Sequence, residues 1–198
     1  MLLREMEHRI KNLFNVAASV VDLSMRGAES PQELAGAVRQ RLSALARAHA
    51  LTLTKPEASD AEAARSTTLH DLIETIVAPY QAQRPRVVIA GIDCPVAGAA
   101  VTSLALLINE FATNAAKYGS LSTPDGLVRV TCTRQDDQIH IVWAERGGPS
   151  VRPPDGAAGF GSLLIQGVVK QLEGDVLRDW RPDGLVVRVI ARADRLIT

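Results

Sequence analysis

This 198-residue chain has little cysteine, no net charge and no long apolar run. Cys94 and Cys132 are its two cysteines and form no spaced cluster, so neither a disulfide framework nor a zinc site is expected. The 22 basic residues balance the 22 acidic ones, which argues against a nucleic-acid binder that depends on bulk positive charge. No apolar run reaches transmembrane length, and the charged first residues do not form a signal peptide. We therefore expect a cytoplasmic protein with no membrane segment and no nucleic-acid partner.

What is present is a globular balance of 46% hydrophobic and 22% charged residues, which excludes wholesale disorder. The neutral total conceals an asymmetry, because residues 1–55 carry a net charge of +3 and residues 56–198 a net charge of −3. Around this change, residues 55–68 are small, polar and aperiodic, as linkers are. We predict two modules, 1–55 and 56–198.

The first module has the pattern of a helical hairpin. Its first apolar stripe advances by alternating steps of three and four residues, through Leu3, Met6, Ile10, Leu13, Ala17 and Val20. Ser30 is a plausible N-cap with Pro31 at the first helical position. The second stripe consists of Leu34, Val38, Leu42 and Leu45. Because two such helices cannot bury their faces fully on each other, we expect a homodimer in which they form a four-helix bundle.

The second module alternates between helical and strand patterns. Helices are predicted over residues 68–81, 99–118 and 162–172. Strands are predicted over residues 86–90, 127–133, 138–143, 174–180 and 185–191. This order predicts an α/β sandwich with helices on one face of a mixed sheet. The whole chain is therefore α+β, a hairpin followed by a sandwich domain.

His8 is the first candidate for chemistry. The heptad that places Leu3 and Met6 at the seam puts His8 on the outer face, where its imidazole can act as a nucleophile. Asn12 follows one helical turn later and could orient a water or a phosphoryl oxygen. The alternative is an ordinary solvated helix face.

A second cluster lies on the long helix of the second module. Glu110, Asn114 and Lys117 are spaced i, i+4 and i+7, so they form one polar line on an apolar helix. Oxygen ligands suit Mg²⁺, an ammonium group suits phosphate, and a carboxylate can orient a water or accept a proton. The alternative is an amphipathic helix with a wet stripe.

A third set surrounds the predicted loop 146–161. Gly159 and Gly161 lead into a helix, whose first N–H groups could cradle phosphates. Glu145 ends a strand beside Gly147 and could accept a hydrogen bond from an adenine amino group. The alternatives are turn glycines and an ordinary strand-end carboxylate.

Taken together and in this order, these segments resemble the HWE/HRXXN group of sensor histidine kinases over nearly the whole chain. Residues 8–12 (HRIKN) resemble the phosphoacceptor box, residues 109–122 the N-box, residues 143–145 (WAE) the W-x-E motif, and residues 159–162 (GFGS) the last glycine box. The resemblance implies a dimerisation and phosphotransfer hairpin joined to a Bergerat-type ATP-binding domain. It also implies autophosphorylation of His8 from Mg-ATP, followed by transfer to an aspartate in the receiver domain of a response regulator.

The residue roles follow from this resemblance. Asn114 would coordinate Mg²⁺, Lys117 would contact phosphate oxygens, and Glu145 would bind adenine. The nucleotide would lie between the N-box helix and the Gly159–Gly161 turn, with Gly147 also in the binding site. Glu110 would polarise the phosphoryl acceptor or a water.

One position departs from the family pattern, because Asn109 stands where the N-box normally begins with histidine. This departure keeps an alternative open, in which the chain is an ATP-independent histidine phosphotransferase, or a degenerate kinase that acts as a relay or phosphatase. With seven residues before His8, we also expect no room for a sensor. The signal would then come from a missing sensor domain or from a separate sensor protein.

Overall fold

The computed structural model of the chain describes residues 14–22, 24–25, 28, 30–53, 67–81, 84–153 and 160–197. The predicted phosphoacceptor His8, its neighbour Asn12 and the loop glycine Gly159 lie outside the described residues, as does most of the predicted linker.

Six α-helices lie in the described residues, and hydroxyl caps fix the start of two of them. Ser30 Oγ accepts a hydrogen bond from the Glu33 amide at 3.2 Å, which confirms the predicted N-cap. Thr68 Oγ1 accepts one from the Asp71 amide, also at 3.2 Å. In chain order the helices are α1 (residues 14–22 and 24–25), α2 (Pro31–Leu53), α3 (Leu69–Val77), α4 (Gly98–Lys117), α5 (Phe160–Gln171) and α6 (Ala193–Leu196).

A mixed five-stranded sheet forms the second layer, as the sequence predicts. Its strands are β1 (Val87–Gly91), β2 (Leu127–Gln135), β3 (Gln138–Arg146), β4 (Asp175–Arg181) and β5 (Gly184–Arg192). Their order across the sheet is β1-β2-β3-β5-β4, and β1 pairs with β2 in parallel while the other pairs are antiparallel. Strands β2 and β3 run further than the hydrophobic alternation predicts, because their ladder extends β2 to Gln135 at the turn and β3 to Arg146, which pairs with Leu127.

The core lies between one face of this sheet and the helices. Side chains that alternate along β2 and β3, among them Val130 and Trp143, are buried against the helical layer. Helix α4 runs through the centre of this layer and is buried along most of its length. Although α4 is long and mostly apolar, neither it nor any other helix in the described ranges is long and apolar enough to cross a membrane.

Helix α2 packs directly on α4. Ala44 and Ala48 are fully buried there, and their small side chains let the two helices approach closely. Leu45 packs with Val20 of α1 in a cluster that also includes Leu106 of α4 and Leu164 of α5. The hairpin therefore buries part of its apolar surface on the second module.

This packing changes the predicted stripe of α2. Of its four members, Leu45 is buried, whereas Leu34, Val38 and Leu42 are half-buried. The buried face differs from the predicted stripe because α2 contacts α3 and α4 as well as α1, whereas the periodicity of the hairpin describes only the contact with α1.

Ala48→Leu is expected to lower the free energy of unfolding by about 1–3 kcal/mol, because the contact between α2 and α4 has no room for a larger side chain. Denaturant titration at 25 °C measures this loss. Ala46→Leu, at an exposed position of the same helix, is the matched control and should change the value by less than about 0.5 kcal/mol. Equal values for the two variants would contradict close packing of α2 on α4.

Candidate active site

A cavity of about 770 Å³ opens between α4, α5 and the inner face of the sheet. Helix α2 closes one side of it through Ala37, Gln40 and Arg41. Its volume is within the usual range for a small-molecule site, and its wall combines apolar surface with a few converging polar groups.

The polar line of α4 forms one wall of the cavity. The structure places Glu110, Asn114 and Lys117 along this wall, as their spacing predicts. Glu110 is buried at the inner end, whereas Asn114 and Lys117 are exposed towards the opening. The wall therefore presents a deep carboxylate, then an amide, then an ammonium group near solvent.

The first turn of α5 lies against the same polar line. A Cβ atom on Gly161 would stand 3.1 Å from Glu110 Oε2 and 3.9 Å from Asn114 Nδ2, so glycine allows this close approach. The unpaired N–H groups at a helix N-terminus favour anions. The structure thus brings Gly161, Glu110 and Asn114 together at the end of the cavity best suited to phosphate groups.

Glu145 lies in the floor of the cavity and is buried. Its Oε2 accepts a hydrogen bond from the Ser120 amide at 2.8 Å, and its Oε1 accepts one from Trp143 Nε1 at 3.2 Å. The two named residues of the W-x-E motif are therefore bonded to each other. Burial raises the pKa of Glu145, and the hydrogen bonds from Ser120 and Trp143 partly offset this rise.

Arg41 is a site residue that the sequence analysis missed. Its Nε lies 2.8 Å from Glu110 Oε1, and its Nη1 donates to Ser24 Oγ at 2.9 Å. Both members of this ion pair are buried. The sequence did contain a signal for this residue. Arg41 follows Val38 by three positions and precedes Leu45 by four, so a charged side chain shares the helix face of the apolar stripe. The ion pair fixes the orientation of the Glu110 carboxylate. Its Oε1 contacts Arg41 of the hairpin, and its Oε2 lies next to Gly161.

The departing position Asn109 is buried and hydrogen-bonded. Its amide oxygen accepts a hydrogen bond from the Tyr80 hydroxyl at 3.2 Å, and that hydroxyl lies 2.8 Å from Thr113 Oγ1. Tyr80, just beyond α3, is a second residue that sequence reasoning missed. The amide oxygen at this position therefore has a hydrogen-bond partner in the protein.

Gly147 and Trp180 differ in their relation to the cavity. Gly147 lies in the turn after β3, where its carbonyl accepts a hydrogen bond from Thr123 Oγ1 at 2.8 Å, and it does not line the described part of the cavity. Trp180, which is not among the candidate site residues from the sequence, lines the cavity together with Arg178.

The donor set of the cavity fits Mg²⁺ brought in with a phosphate substrate. Glu110 and Asn114 supply oxygen atoms, which Mg²⁺ prefers. Within the described ranges, His, Cys, Asp and Glu form no cluster of three or more that could hold a metal by themselves. Mg²⁺ commonly takes one or two protein oxygens and completes its shell with substrate phosphates and water, so this sparse set is compatible with it.

Two family models match this chain. One, described as HWE histidine kinase, matches residues 5–93, a range that includes His8 and Asn12. The other, described as histidine kinase-like ATPase domain, matches residues 84–191 and includes the cavity residues of α4, α5 and the sheet.

The chain is also similar to curated light-responsive kinases. It is 34% identical over 188 residues to Blue-light-activated histidine kinase 1 of Erythrobacter litoralis, covering 93% of this chain and 51% of that protein. It is 34% identical over 195 residues to the blue-light-activated histidine kinase of Rhizobium johnstonii, covering 95% of this chain and 52% of that protein. The chain thus spans about half the length of these relatives.

Solved structures show the same fold. The Erythrobacter litoralis EL346 blue-light activated histidine kinase aligns with 98% of this chain and 59% of its own, with a TM-score of 0.67 and 16% identity. The histidine kinase domain of that protein aligns with 93% of this chain and 95% of its own, with a TM-score of 0.59 and 14% identity.

Arg41→Met is expected to lower the free energy of unfolding by about 3–5 kcal/mol, because it leaves the Glu110 carboxylate buried without a counter-charge. Denaturant titration followed by tryptophan fluorescence measures the loss. Arg39→Met, at an exposed position of the same helix, is the control. Adding Glu110→Gln to Arg41→Met should recover most of the loss, since the remaining amide is neutral. A double variant no more stable than Arg41→Met would contradict the ion pair as its cause.

Glu145 should make stability depend on pH. Because its pKa is raised in the folded state, the wild-type chain loses stability as pH rises from the unfolded pKa to the folded one, and the loss persists above it. Glu145→Gln lacks this effect, so its free energy of unfolding relative to wild type should increase between about pH 4 and pH 8. Unfolding titrations across this range test the trend. Glu74→Gln, at an exposed position of α3, is the matched control.

Proposed function

This chain belongs to the HWE family of histidine kinases, and we propose that it is the catalytic core of such a kinase. In this proposal it phosphorylates its own His8 from Mg-ATP and passes the phosphoryl group to an aspartate of a response-regulator receiver domain. The observation that carries the proposal is the single cavity that brings Glu110, Asn114, Lys117, Glu145 and Gly161 together. The HWE family match over residues 5–93 supports His8 as the acceptor.

The cavity gives ATP a direction. Glu145 lies in its floor with both oxygens already held by protein N–H groups, and each oxygen retains a lone pair that can accept from the adenine amino group. Asn114, Lys117 and the first turn of α5 lie at the phosphate end. Mg²⁺, when bound with ATP, would supply charge neutralisation on the phosphate oxygens, and Asn114 is the residue that would hold it. Gly147 and Gly159 stay candidate nucleotide contacts.

Phosphoryl transfer requires in-line placement more than strong base catalysis, because its transition state is loose. A ring nitrogen of His8 forms the new P–N bond while the bond from the γ-phosphorus to the bridging oxygen breaks and ADP leaves. The imidazole then carries an excess proton. Glu110 is our candidate to accept it, since its Oε2 is directed to the phosphate end while Arg41 holds Oε1. Asn12 is the candidate to orient a phosphoryl oxygen or a water.

The hairpin supplies the expected protein contacts. Phe14, Val21 and Met25 of α1 are exposed and lie with Ala18 on one helical face, spaced by four, three and four residues. This apolar stripe suits a second copy of the chain, so we propose a homodimer that completes a four-helix bundle. The receiver domain would dock near His8 and α2. The kinase would act in the cytoplasm, with its signal supplied by a sensor segment or a separate sensor protein.

Incubation with γ-labelled ATP and Mg²⁺ tests the proposal. The wild-type chain should acquire acid-labile label, and His8→Gln should acquire none because the acceptor nitrogen is lost. Asn114→Ala should label at least roughly 100-fold more slowly, the range for removing a group that stabilises transition-state charge. His140→Gln, a second histidine changed in the same way, should label normally.

Two results would contradict the assignments. Label retained in His8→Gln would exclude His8 as the acceptor. A wild-type chain that binds no Mg-ATP in calorimetry, yet takes label from a phosphorylated regulator, would instead establish the ATP-independent phosphotransferase.

A further inference from the structure

Arg178 extends the polar part of the cavity onto the edge strand β4. Burial alternates along β4, and Arg178 is on the half-buried face that points to the helices. Across the sheet it lies opposite Val187 of β5, which lies opposite Trp143 of β3. All three side chains line the cavity, so this row forms its floor from Trp143 to the edge of the sheet.

Among the described residues, the Arg178 guanidinium has no counter-charge. It makes no ion pair or hydrogen bond with any residue in the described ranges, whereas the buried Arg41 is paired with Glu110. Burial lowers the pKa of Arg178, and no carboxylate opposes that effect. A half-buried cation without a partner is unfavourable in the free protein. Its position is therefore best explained by an anion that enters the cavity.

Chain geometry brings Arg178 close to α5. Strand β4 follows α5 after a short connection and contacts it, so the two elements run back along each other. Arg178 lies about 10 Å along β4 from Asp175, and α5 is about 18 Å long, so Arg178 falls beneath the middle of α5. Gly161 and Ser162, in the first turn of α5, line the same cavity as Arg178.

We propose that Arg178 binds the phosphate chain of the nucleotide from the floor of the cavity, across from Asn114 and Lys117 on α4. This assignment rests on the proposed ATP-binding function and adds a residue to it. A guanidinium presents its N–H donors in a planar fork that matches two oxygens of a phosphate. Bound phosphate would then give Arg178 the counter-charge that the described part of the chain does not supply.

Calorimetric titration with Mg-ATP and with adenosine tests this assignment in the wild-type chain and in Arg178→Gln. The variant should bind Mg-ATP roughly tenfold or more weakly, because a charged hydrogen bond is lost, and should bind adenosine as wild type does. Arg188→Gln is the matched control, since Arg188 lies on the neighbouring strand opposite Leu177 on the exposed face of the sheet. It should bind both ligands like wild type.

Two further measurements separate binding from folding. The melting temperature of ligand-free Arg178→Gln should equal or exceed that of wild type, because the substitution removes an unpaired, half-buried charge. Arg178→Lys should bind Mg-ATP with an affinity between those of wild type and Arg178→Gln, since it keeps the charge but loses the fork.

The outcomes distinguish this assignment from the function on which it rests. Wild-type binding of Mg-ATP that is unchanged in Arg178→Gln overturns the assignment and leaves the proposed function standing. An equal loss of adenosine and Mg-ATP affinity overturns the phosphate contact in favour of a contact with the base or ribose. A wild-type chain that binds no Mg-ATP overturns both.

Discussion

The buried ion pair between Arg41 and Glu110 is the constraint that ties the two halves of the molecule together. The pair joins the second helix of the hairpin to the central helix of the sandwich domain. Arg41 also donates a hydrogen bond to the Ser24 hydroxyl of the first helix. Two charges removed from water are tolerated only when their geometry is close and their remaining bonds are satisfied. The position of α2, the orientation of the Glu110 carboxylate and one wall of the cavity are therefore set together.

Helix α4 makes this arrangement possible because it is covered on several sides. The sheet, α3 and α5 bury most of its surface, and α2 covers a further face through Ala44 and Ala48. On such a helix, polar side chains are tolerated only where the cavity opens or where a specific partner exists. Glu110 has Arg41, Asn109 has Tyr80, and Asn114 faces the cavity. The polar residues of this helix are thus each explained by one named contact or by the site.

Much of the fold was accessible from the sequence because its signals are local. Alternation of apolar residues predicted all five strands, and helical periodicity with the cap at Ser30 predicted the longer helices within a few residues. The four-residue helix α6 was not predicted. The spacing of Glu110, Asn114 and Lys117 placed them on one wall, since i, i+4 and i+7 share a helix face. The motifs in their order gave the family, which the family models and relatives confirm.

Tertiary structure alone decided which distant residues meet. Arg41 and Glu110 are 69 positions apart, and Tyr80 and Asn109 are 29 apart. Helical periodicity indicates which face of a helix is buried but not which element covers that face. The sequence therefore predicted only the contact of α2 with its hairpin partner, whereas α4 also packs on α2. In the sequence, nothing distinguishes Arg178 from a surface residue of a strand. The structure places it on the edge strand β4, in the floor of the cavity. By itself the sequence determined the elements, the family and the polar line on α4, because these depend on neighbours along the chain. Folding decided the charge pairing and the composition of the cavity, because these depend on neighbours in space.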